Sequence, residues 1–165
     1  MQRLKKQPFT SGAQLATRAS LAAAVSVAIA TALGLPYPIY ALIAAVIVTD
    51  FAPAQTRRLG FQRLIATIIG AACGGLLRSV VEPAAWSIGL GILLAMVVCQ
   101  QSRAPEGAKA AGYISGIIML AHGENTWSYA AYRFLETMLG ITVAWAISFI
   151  PRLIRTEEDV NDEDK

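Results

Sequence analysis

The stretch "TRRLGFQRLIATIIG", residues 56–70, sets Arg63 and Thr67 one helical turn apart inside an apolar run. It is echoed by "TWSYAAYRFLETMLG" at residues 126–140, and both segments follow the pattern T-x6-R-x3-T-x2-G. Thr56/Thr126, Arg63/Arg133, Thr67/Thr137 and Gly70/Gly140 are each 70 residues apart, and Gly74 and Ala144 extend the match with one more small residue. Positions 63, 67, 70 and 74 follow i, i+4, i+7, i+11, so each arginine shares one helical stripe with small residues. Small residues on a membrane helix mark close approach of a neighbour. The arginine face is therefore expected to point into protein or a hydrated cavity rather than lipid.

The surroundings are those of a membrane protein. Of 165 residues, 55% are hydrophobic and 15% charged, with a mean hydropathy of +0.51. That balance is too apolar for an ordinary soluble domain. Six of the eleven acids lie in the final "TEEDVNDEDK", leaving 13 bases against 5 acids in residues 1–155. A tail of dense like charge buries nothing and is expected to be disordered. The basic excess reads as bases flanking membrane spans, and a nucleic-acid partner is not inferred.

Proline, glycine and charge divide the apolar sequence into six expected helices, near 13–33, 38–51, 62–81, 85–100, 107–121 and 130–150. The second and fifth fall short of the roughly 20 residues a span requires. The first is read as a retained helix rather than a cleaved signal. The expected organisation is a cytoplasmic segment 1–12, a membrane domain 13–151 and a basic-then-acidic cytoplasmic tail 152–165.

Alternating the helices across a bilayer collects Arg3, Lys5, Lys6, Arg57, Arg58, Arg63, Arg103, Lys109, Arg152 and Arg155 on one side, with Arg78 and Arg133 on the other. Bases retained in short loops mark the cytoplasm, so both termini are expected there, in a multi-pass protein of the cytoplasmic (inner) membrane. Tyr37, Tyr40, Trp86, Trp127, Tyr129 and Tyr132 then fall near the outer interface, where amphipathic rings are favoured. The third and sixth helices start on opposite sides. The fold is thus expected to be an all-α integral membrane protein, six transmembrane helices in a 3+3 inverted repeat.

Two readings of Arg63 and Arg133 stand side by side: snorkelling to the nearest headgroups, or lining opposite mouths of an anion path, where a guanidinium binds carboxylate bidentately. Thr67, Gly70, Glu136, Thr137 and Gly140 complete that candidate path. Glu136, three residues after Arg133, is expected to pair with it on the helix, with a proton-coupling carboxylate as the alternative. Asp50, Arg57 and Lys109 form a candidate cytoplasmic polar cluster, and Arg18 is expected to snorkel. His122 and Glu124 read as an outer polar loop. Cys73 and Cys99 read as small hydrophobes without metal-ligand spacing. No nucleotide-binding loop or catalytic constellation is present, so neither a metal nor another cofactor is expected, and enzymatic chemistry is not inferred.

The pattern P-x2-T-x6-R-x3-T-x2-G at Pro53, Thr56, Arg63, Thr67 and Gly70, following "YPIYALIAAVIVTDFA", resembles the fusaric acid resistance and aromatic acid exporter superfamily. Plant aluminium-activated malate transporters look like distant members of that group, and "RFLETMLGITVA" is similar to its second-half motif. The resemblance implies outward movement of small organic anions, often aromatic carboxylates, with Arg63, Thr67, Gly70, Arg133, Glu136 and Gly140 as recurrent motif residues. Ala66 departs from the glycine usual before the threonine. The chain also looks like a half-size member, ending soon after its sixth helix. Six helices are few for a self-contained conduit, so a homodimer or higher homo-oligomer in the lipid bilayer is expected. The competing expectation is a non-transporting membrane module that assembles with a partner protein.

Overall fold

The computed structural model describes residues 9–102, 104–121 and 126–150, with side chains described from residue 12 onward. The tail 152–165, the bases near the N-terminus, Arg103, and the loop residues His122 and Glu124 lie outside that range. Six α-helices make up the fold: α1 (Phe9–Ala32), α2 (Ile39–Val48), α3 (Pro53–Val80), α4 (Ala85–Gln101), α5 (Ala108–Leu120) and α6 (Thr126–Ser148), with a 3-10 turn at Pro105–Gly107 leading into α5. Two stretches, Gly12–Ala32 in α1 and Pro53–Val80 in α3, are long and apolar enough to cross a membrane. With 10 and 13 residues, α2 and α5 rise only about 15 and 20 Å, short of a hydrocarbon core of about 30 Å.

The two motif-bearing helices start earlier than their apolar periodicity suggests. Pro53 does not merely end the preceding connection; it occupies the first turn of α3, where its fixed φ suits a helix and its missing N–H costs nothing. Residues 54–61 break the apolar run with Gln55, Thr56, Arg57 and Arg58, yet they already carry the helical period. Thr56, Gly60 and Arg63 face inward while Arg57, Arg58 and Phe61 face out. Helix α6 likewise begins at Thr126 instead of near residue 130. Consequently Arg63 lies about 15 Å along α3 and Arg133 about 10 Å along α6, well beyond the terminal turns.

Alanine and glycine set the packing. One core cluster joins α1, α2 and α6 through Ala22, Ala45, Val48, Val143, Ala144 and Ile147. A second joins α3, α4 and α5 through Ala66, Ala95, Cys99, Ala104, Ala108 and Ala111. A third, with Ile114, Ile118, Tyr129 and Ala130, links α5 to α6. Helix α3 crosses α5 and α6 crosses α2, while α3 and α6 also touch each other. At Gly70 an added Cβ would lie 2.5 Å from the Ala111 carbonyl oxygen, and at Gly140 it would overlap the Ala41 carbonyl. These close approaches admit no side chain. Large apolar residues face outward on every side, among them Leu42, Ile68, Leu76, Leu93, Val97 and Leu135, as befits a surface solvated by lipid.

Candidate functional site

Both motif arginines are buried: Arg63 is 6% exposed and Arg133 is 2% exposed. Neither snorkels. A guanidinium two to three turns inside a helix that faces its neighbours has no short route to a headgroup. Instead, both converge on one aromatic ring. The Cζ of Arg63 lies 5.1 Å from the Tyr113 ring centroid and that of Arg133 lies 5.8 Å from the same centroid. The expectation that they mark opposite mouths is therefore corrected to a shared centre between α3, α5 and α6.

Arg133 also sits over the Tyr40 ring at 3.9 Å. Tyr40 is held in turn by a hydrogen bond between its hydroxyl and that of Tyr129, and Tyr129 meets Tyr37 edge-on with centroids 5.0 Å apart. Three of the six aromatics expected at the outer interface thus pack against one another, Tyr129 buried and Tyr37 and Tyr40 half-buried. Trp86, Trp127 and Tyr132 remain largely exposed. Each desolvated cation–π contact contributes about 2 kcal/mol, whereas burying an ion costs several kcal/mol. Rings alone leave the guanidiniums under-compensated.

Glu136 does not form the expected ion pair with Arg133. Its Oε1 accepts the Tyr37 backbone N–H at 2.7 Å, one residue before the Pro38 cap of α2. A carboxylate there complements the positive end of the α2 dipole. Among the described residues, no ion pair involves Arg63, Arg133 or Glu136. Arg63 Nε, Arg133 Nη1, the Tyr113 hydroxyl and Glu136 Oε2 are all buried without a hydrogen-bond partner. Such a concentration of unsatisfied buried groups is costly in a finished core and calls for a ligand or a role.

The other motif residues serve the frame. Thr67 Oγ1 donates to the Arg63 carbonyl at 2.8 Å within α3, Thr137 is buried, and Gly70 and Gly140 form the close crossings with α5 and α2. Ala66, fully buried, packs where a Cβ added at Gly107 would come within 2.9 Å of its methyl.

Arg18, expected to snorkel, is 2% exposed; its Nη1 donates to the carbonyls of Phe51 at 2.9 Å and Asp50 at 3.4 Å. It thereby supplies a cation just past the C-terminus of α2, opposite in sign to Glu136 at the other end. The Asp50, Arg57 and Lys109 cluster is not drawn together by ion pairs among the described residues. Asp50 Oδ1 accepts the Phe51 N–H and the Asp50 N–H donates to Thr56 Oγ1, while Arg57 and Lys109 are exposed. The ion pair at that end is Arg58 with Glu106, 2.8 Å apart and solvent-exposed, a contact of at most about 1 kcal/mol.

The family model described as aromatic acid exporter family member 1 matches residues 12–150. The chain belongs to the aromatic acid exporter family. No curated protein and no solved structure gave a match. Family membership makes this an exporter-type membrane protein and points to transport rather than catalysis. Tyr40 and Tyr113 are the members of this arginine cluster that the motif did not reveal. The available signal was physical: buried arginines need partners, and Tyr113 is the one aromatic residue in the short helix α5.

Proposed function

We propose that the protein exports small organic anions, aromatic carboxylates among them, across the cytoplasmic membrane, and that Arg63 and Arg133 bind the carboxylate at a shared site midway along the path. The carrying observation is the pair of buried guanidiniums over one Tyr113 ring, each with an unpartnered N–H. Fixed cations in a water-poor site concentrate an anion and orient it. Glu136 helps set the site's charge beside Arg133. Thr67, Gly70, Thr137 and Gly140 act by positioning the arginine-bearing helices.

The proposed architecture is a 3+3 inverted repeat with both termini cytoplasmic. Supporting it, a shift of 70 residues carries α4, α5 and α6 onto 15–31, 38–50 and 56–78, close to α1, α2 and α3. The same shift carries the neighbours of Gly140, Ala41 and Ala44, onto those of Gly70, Ala111 and Ile114. The helix pairings exchange in the same way: α3 with α5 matches α6 with α2, and α1 with α6 matches α4 with α3. A homodimer, embedded through its outward apolar faces, is the simplest complete unit.

In proteoliposomes, Arg63→Ala and Arg133→Ala should each lower benzoate flux about tenfold or more while the oligomer stays intact. Lysine at either position should rescue only in part, because an ammonium lacks the bidentate fork. Wild-type flux in both alanine variants would overturn the role.

A further inference from the structure

Both buried guanidiniums lie over the ring of Tyr113. Its hydroxyl is buried and has no hydrogen-bond partner, as are Arg63 Nε and Arg133 Nη1. Three donors from three different helices, α3, α5 and α6, are thus left open around a single ring. A cation–π contact holds a guanidinium by its charge and consumes no N–H, so the ring can fix both arginines while their donors stay free. Of the nearby Glu136 carboxylate, Oε1 takes the Tyr37 N–H, while Oε2, like the three donors, is buried without a partner. Two guanidiniums thus face one carboxyl group, so cationic groups outnumber acidic ones around the ring.

We propose that the Tyr113 hydroxyl is the third donor of the anion site, completing with Arg63 Nε and Arg133 Nη1 a pocket for one monocarboxylate; this rests on the anion-site reading above. A carboxylate offers about four lone-pair positions, enough for all three donors. The ring spaces the two cations and the hydroxyl binds, so Tyr113 both positions the arginines and contacts the substrate.

Tyr113→Phe separates this role from a structural one, because it keeps the ring and removes only a hydroxyl that has no partner in the free protein. In the purified full chain in detergent, its melting temperature without ligand should stay close to that of the wild type, since the hydroxyl makes no hydrogen bond of normal geometry. Its affinity for benzoate should fall about tenfold, with a smaller benzoate-induced rise in melting temperature. Wild-type benzoate affinity in Tyr113→Phe would overturn the assignment, as would a loss of stability in the ligand-free variant large enough to account for weaker binding. If Arg63→Ala and Arg133→Ala lose benzoate binding while Tyr113→Phe retains it, only the Tyr113 assignment falls. If none of the three variants alters binding, the anion-site reading falls with it.

Discussion

Arg63, Arg133 and Arg18 illustrate what one charged side chain does in an apolar helix when headgroups are out of reach. Each meets different local groups, rings for the first two and backbone carbonyls for the third, and each keeps at least one buried N–H without a partner. Arg18→Ala should therefore lower stability by about 2 kcal/mol, because it strips the Phe51 and Asp50 carbonyls of a charged donor. The measurement is the unfolding midpoint in detergent, and Arg18→Lys should fall between wild type and alanine. Glu136 supports a similar pair of predictions. Glu136→Gln keeps an acceptor for the Tyr37 N–H and should leave stability nearly unchanged, whereas Glu136→Ala orphans that N–H and should cost about 1–3 kcal/mol. The motif made these residues visible, but their partners sit on other helices. The sequence offers no direct sign that Glu136 reaches Tyr37 rather than Arg133, which is three residues away on the same helix.

Among the helices, small residues govern which surfaces meet. Gly140 lies against the Ala41 backbone and Gly70 against that of Ala111, so Gly70→Ala and Gly140→Ala should each cost about 1–3 kcal/mol as overpacked crossings. Gly89 has nothing within 4 Å of an added Cβ; Gly89→Ala should be neutral or stabilise by up to about 1 kcal/mol through helix propensity. Comparing thermal unfolding of the three tests whether the close crossings matter more than glycine as such. The six helices were largely legible from proline punctuation and apolar runs, and the shortness of α2 and α5 was too. The starts of α3 and α6 were not. The polar run 55–58 interrupts the apolar stretch but keeps the helical period, and the early start of α3 is what places Arg63 three turns deep.

For the whole molecule, the proposed inverted topology makes a testable demand on sidedness. In a Cys73→Ala, Cys99→Ala background, Arg57→Cys and Lys109→Cys should react with a membrane-impermeant maleimide from one side, and Glu82→Cys from the other. All three native positions are exposed, and the Arg58–Glu106 ion pair already ties the start of α3 to the turn before α5. Labelling of Arg57→Cys and Lys109→Cys from opposite sides would refute the arrangement. Composition, the helix-breaking residues and the 70-residue echo were enough to establish a helical membrane protein and to point at its two arginines, because hydropathy and periodicity are properties of neighbouring residues along the chain. The meeting of those arginines at Tyr113, the mutual packing of Tyr37, Tyr40 and Tyr129, and the diversion of Glu136 to a backbone N–H 99 residues away came only from folding. A buried charge takes whichever partner helix packing brings within a few ångströms, and that proximity is set by how Gly70 and Gly140 let distant helices cross.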